Sequence, residues 1–155
     1  MNTVKFNRYK LAISPSHYQC TEVNGKKLNH FIAPDTNAGI PKLYIVKNGS
    51  EIFYVGITSQ GISSRLRYGF KAAGEKGYYG YKWKDKITEA ELLIWRFPNR
   101  TQKHVEAIEA ELVYFIREKT GKWPKYQMEI HFHGTSESEK QVARSILSNC
   151  LEGGF

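Results

Sequence analysis

The chain has 155 residues, 41% of them hydrophobic and 14% aromatic, enough for one domain with a core and too apolar for a disordered tail. Its formal charge of +8 points to polyanionic partners, either nucleic acid or an anionic membrane surface. No apolar run approaches the ~20 residues that span a bilayer, and MNTVKFNRYKLAIS lacks the apolar centre of a signal peptide. Cys20 and Cys150 form no CxxC metal pair, so a cytoplasmic protein with reduced thiols and no membrane association is expected.

Residues 1–41 hold short apolar pieces interrupted by Pro15, Asn24-Gly25, Pro34 and Gly39, which read as turns in an N-terminal extension packed on the core. KLYIVKNGSEIFYVGI then carries two apolar runs around Asn48-Gly49, a strong hairpin signal, and strands are predicted at 42–47 and 51–57. From 61 to 73 the spacing of Ile62, Leu66, Phe70 and Ala73 predicts a helix stopped by Gly74. A glycine- and tyrosine-rich loop follows. ITEAELLIWRFP reads as a strand, 101–119 as a long helix with Val105, Ile108, Leu112, Phe115 and Ile116 on one face, and YQMEIHFH as an alternating strand. Ser136 and Glu139 form a capping-box pattern before a helix with Val142, Ala143, Ile146, Leu147 and Leu151 on its core face. The order ββαβαβα predicts a single α+β domain, a small, mostly antiparallel sheet flanked by helices.

Charge gathers mid-chain. Arg65, Arg67, Lys71, Lys76, Lys82, Lys84 and Lys86 face only Glu75 and Asp85 between positions 65 and 86. In KGYYGYKWK, Tyr78, Tyr79, Tyr81 and Trp83 could stack on bases or line a groove while Lys76, Lys82 and Lys84 meet phosphates; the same aromatics could equally cap the core. Arg67 and Lys71 belong to the same basic stretch. Glu129, His131 and His133 alternate at a spacing open to a transition metal, and read more simply as one solvated strand face.

Two carboxylates flank the apolar stripe of the 101–119 helix. At 100° per residue, Glu111 lies about 90° from the stripe's centre and Glu109 about 70° on the other side, so both cannot serve one site. Either can be a solvated boundary residue or the one carboxylate that holds a hard cation with phosphate and water. Arg65 can be a surface arginine or a guanidinium aimed at a phosphoryl oxygen. Tyr44 and Tyr54 alternate in phase with apolar neighbours, as cross-strand aromatics do.

Taken in order, LYI, a turn, YVG, a linker, RL and a later E with PKYQ resemble the GIY-YIG nuclease superfamily over roughly residues 42–127, leaving 128–155 as a C-terminal strand and helix. The resemblance matches Tyr44 and Tyr54 to the two motif tyrosines, Gly56 to the closing glycine, Arg65 to the catalytic arginine and Glu111 to the metal glutamate, with Glu109 two residues out of register. Lys42 stands where the family has its first glycine, Leu43 replaces isoleucine, Gly69 stands where histidine is frequent, and Gln127 takes the place of an asparagine. What the resemblance implies is a metal-dependent endonuclease that hydrolyses phosphodiesters in DNA, expected to be double-stranded. Glu111 would hold Mg²⁺ or Mn²⁺, Arg65 would neutralise charge on the non-bridging oxygens, Tyr44 would take the proton of water, and Tyr54 would orient that network. Lys42, Gly69 and Gln127 leave room for a nucleic-acid-binding module without turnover. The basic face alone would also suit an acidic protein partner.

Overall fold

The computed structural model describes residues 6–15, 17–33, 36–127 and 136–152. The order is β1 (Phe6–Ser14), β2 (His17–Val23), β3 (Lys26–Lys27), β4 (Lys42–Asn48), β5 (Glu51–Thr58), α1 (Ile62–Lys71), a 3₁₀ turn (Lys82–Asp85), β6 (Glu89–Arg96), α2 (Gln102–Thr120) and α3 (Glu137–Glu152). All strands join one sheet in the order β3-β2-β1-β6-β4-β5, and each pairing is antiparallel. The molecule is α+β, as its pattern predicted.

The hairpin of β4 and β5 forms as expected, with Gly49 at φ 59° in the turn, a conformation glycine adopts without steric cost. Alternation places Tyr44 and Val46 on one face of the sheet and Leu43 and Ile45 on the other. The first face packs against α1 through Ile62, Leu66 and Phe70, and the second against α2 and α3. Thr101 caps α2 by accepting from the His104 N–H at 3.1 Å, and Gly121, left-handed at φ 81°, ends it. At α3, Glu139 accepts from the Ser136 N–H at 2.8 Å, the return half of the capping box.

The first 41 residues do not lie on the core as an extension. The described residues between 6 and 27 contribute three strands, and β1 pairs along β6 from Phe6 opposite Trp95 to Ala12 opposite Glu89. Tyr9, Leu11 and Ile13 alternate inward with burial of 94% or more, so the segment holds a strand period that its turn residues obscure. The strand expected at YQMEIHFH falls on 128–135, outside the described residues. Among the described residues no helix is long and apolar enough to cross a membrane.

Candidate active site

Beside β5, the outermost strand, lies a cavity of about 840 Å³ whose wall includes Tyr54, Arg65, Tyr81, Glu109, Tyr126 and Gln127. Because it lies at the edge of the sheet, side chains from both faces reach it. Tyr54 comes from the face covered by α1, and Glu109 comes from α2 on the other.

Tyr44 is fully buried, and its hydroxyl lies 2.8 Å from that of Tyr81. The rings of Tyr44 and Tyr54 stand 6.0 Å apart, and those of Tyr54 and Tyr81 meet edge to face at 5.4 Å. Gly56 makes this packing possible. A Cβ there would stand 2.5 Å from Tyr44 Cζ and 2.7 Å from Tyr54 Cε2, so the closing glycine leaves space for both rings.

Burial pushes the Tyr44 phenol well above its ordinary pKa of 10.0, with Tyr81 adding to the rise and Arg65 opposing it. Tyr54 and Tyr81 are raised as well, again chiefly by burial. The expectation that Tyr44 stands ready as a base therefore meets a neutral phenol, because the positive field of Arg65 does not offset the loss of solvation.

Arg65 sits over the Tyr81 ring at 4.8 Å and the Tyr78 ring at 5.9 Å, within cation–π range. Burial works against its charge, but the surrounding phenol oxygens of Tyr44, Tyr81 and Tyr78 outweigh it and raise the pKa. Its Nη1 is buried and has no hydrogen-bond partner among the described residues. Leu66, next in sequence, points into the core with no exposure.

The two glutamates separate as the helical wheel requires. Glu109 is 8% exposed and lines the cavity, whereas Glu111 is half-buried and lies off its wall. The two positions stand about 200° apart around α2, and it is the Glu109 flank that turns to the β5 edge. The cavity thus holds Glu109 in place of the expected Glu111. Among the described residues no three His, Cys, Asp or Glu side chains gather as a metal site. Glu109 and Asp85 are the carboxylates on the cavity wall, and carboxylate among phenol and amide oxygens suits a hard cation completed by phosphate and water and does not suit zinc.

Gln127 pairs with the backbone of Val55 in both directions. Its Oε1 accepts from the Val55 N–H at 2.9 Å, and its Nε2 donates to the Val55 carbonyl at 3.0 Å. The Lys125 and Tyr126 N–H groups donate to the carbonyls of Ile52 and Phe53. The segment after α2 is therefore stitched along the outer edge of β5. Lys42 is buried, and its Nζ donates to the carbonyls of Ile40 and Gln60 at 2.8 Å each, tying the chain entering β4 to the turn leaving β5.

The basic aromatic loop divides. Tyr79 is 69% exposed and Lys82 is exposed, both on the cavity wall. Arg67, Lys71 and Lys76 are exposed but stand off that wall. Tyr81 and Lys84 depart from expectation. Tyr81 is buried under Phe70 and Trp83, which leaves no ring face for a base. Lys84 is buried and donates to the carbonyls of Phe70 and Ala72 at 3.2 and 2.7 Å, so its charge serves the C-terminal end of α1. Lys86, exposed on the same wall, was not among the predicted contacts; its place in the charge run was the available signal.

Gly69, where the resemblance would put histidine, carries the edge of the loop. A Cβ on residue 69 would stand 2.1 Å from Tyr81 Cε2. Comparison of the chain with family models, with curated proteins and with solved structures returned no match.

Proposed function

We propose that the chain is a divalent-metal-dependent endonuclease that hydrolyses phosphodiester bonds in DNA through a site of the GIY-YIG type. The observation that carries this reading is Arg65 Nη1, buried and without a hydrogen-bond partner among the described residues, in a cavity shared with the Glu109 carboxylate. A buried guanidinium N–H left unmatched is costly, and an anion carrying several acceptor oxygens satisfies it.

Arg65 stabilises charge that builds on the non-bridging oxygens in the transition state. Glu109 is the residue that would hold Mg²⁺ or Mn²⁺, and the ion, when bound, supplies Lewis-acid polarisation of the phosphate and stabilises the leaving oxygen. Gln127 holds β5, and with it the Tyr54 ring, against the cavity. Lys82 and Lys86 on the rim meet the phosphates on either side of the scissile one, and Tyr79 offers a free ring for stacking.

Plasmid cleavage tests the reading with the wild-type chain, Glu109→Gln and Glu111→Gln in Mg²⁺, Mn²⁺ or EDTA. Wild-type protein is expected to cleave only with metal. Glu109→Gln is expected to lose at least ~10²–10³ in rate, and Glu111→Gln to stay within a few-fold. Salt-sensitive DNA binding without cleavage in either metal would replace this reading with a binding module.

A further inference from the structure

The tyrosine pair has a front and a back. Tyr81 lines the cavity, while Tyr44 lies behind it, without exposure and off the cavity wall. We infer that Tyr81, delivered by the loop before the 3₁₀ turn, is the residue whose hydroxyl donates to a phosphoryl oxygen of the substrate, and that Tyr44 is a positioning residue acting through it. The inference rests on the phosphodiester-cleaving reading above.

The loop is seated by construction. The Tyr81 N–H donates to the Gly69 carbonyl at 3.1 Å. Gly80 has φ +84°, and a Cβ on it would stand 2.0 Å from that same carbonyl oxygen. Two glycines therefore let loop and helix touch backbone to backbone, and the Tyr81 ring fills the space over residue 69. Lys84 fastens the far side of the loop to the end of α1. Ring stacking on Trp83 at 4.7 Å and the Arg65 guanidinium at 4.8 Å fix the plane of the phenol.

The chemistry follows from protonation. Burial keeps both phenols neutral, so Tyr81 donates a hydrogen bond and takes no proton. When the Tyr44 hydroxyl donates to Tyr81 Oη, the Tyr81 O–H is polarised outward and becomes the stronger donor. No bond forms or breaks at either tyrosine. The group binds charge that develops beside the one Arg65 binds.

The test is steady-state cleavage of a DNA duplex in Mg²⁺ by wild type, Tyr81→Phe and Tyr44→Phe, with melting temperatures measured alongside. Tyr81→Phe retains the ring that packs on Trp83 and is expected to lower kcat about 10²–10³-fold with KM nearly unchanged and a modest fall in melting temperature, because the buried Tyr44 hydroxyl loses a partner. Tyr44→Phe, which removes the hydroxyl that meets both Tyr81 and Tyr54, is expected to lower kcat about tenfold. If Tyr81→Phe keeps kcat within threefold of wild type, or if Tyr44→Phe is the more damaging, the assignment is overturned while the nuclease reading stands. If the wild type cleaves nothing in Mg²⁺ or Mn²⁺, both are overturned.

Discussion

On one face of the sheet Tyr9, Tyr44, Phe53, Phe70, Tyr81 and Trp83 make up much of the core, whereas on the other Leu43, Ile45, Leu93, Leu112 and Ile146 set its character. The aromatic face contains hydroxyls that must find partners once buried. Tyr44 and Tyr81 bond each other, and Tyr9 Oη accepts from the Ile32 N–H at 3.2 Å. Its packing is therefore directional. The other face, aliphatic around Trp95 and Phe97, is held mainly by area and shape, which have no direction. Damage to the first is expected to appear as lost geometry and rate, and damage to the second as lost stability.

The sharpest way to break that contrast is Leu112→Ala. Leu112 is fully buried between the sheet and α3, and its truncation is expected to cost about 2–5 kcal/mol, read by urea denaturation. Cleavage per folded molecule should hold. A large rate loss at unchanged stability would mean that the aliphatic face also sets the chemistry.

Cys150 gives the same face a signature in pH. Burial pushes its thiol from an ordinary 9.0 up to about 12, against the pull of Lys47. Above pH 9 the unfolded chain releases this proton while the folded chain keeps it, so stability present below pH 9 falls as pH rises towards 12. The expected slope is half of ~1.4 kcal/mol per pH unit at pH 9 and nears the full value by pH 10. Denaturation of wild type and Cys150→Val between pH 8 and 10 checks it; equal slopes would remove Cys150 as the cause.

The smallest effect belongs to the rim. Lys82→Gln with Lys86→Gln should lower the slope of log affinity against log salt by about 0.7–0.9 per contact, roughly 1.5 in all. Lys84→Gln should leave that slope alone and lower the melting temperature, because Lys84 is spent on the carbonyls that end α1. A shared salt effect at all three lysines would erase the distinction between rim and core in this loop.

Much of this arrangement is legible before folding. The Asn48-Gly49 hairpin, the Ile62, Leu66 and Phe70 stripe of α1 (Ala73 falls exposed beyond its end at Lys71), the stripe of α2, and the Ser136 and Glu139 cap follow from local rules of turn, period and capping. β1 escaped because one apolar alternation, Tyr9, Leu11 and Ile13, is diluted by Lys10 and by nearby turn residues, and only pairing with β2 and β6 makes it a strand. The wheel set Glu109 and Glu111 on opposite flanks of α2, but which flank meets the edge of β5 depends on how α2 crosses the sheet. Lys84 and Lys82 look alike in a charge count, and only the end of α1 separates them. Tyr81 belongs to a loop with no period, where the faint clue was glycine at both 69 and 80.

Gln127 has a further effect through its two bonds to Val55. An outer strand with unanswered backbone groups invites a strand from another molecule to add to the sheet. Here the chain beyond α2 takes up the carbonyls of Ile52 and Phe53, and one primary amide imitates a neighbouring peptide by answering both backbone groups of Val55. The stretch of β5 next to the cavity is thereby closed to templated self-association while the space beside it stays open to substrate.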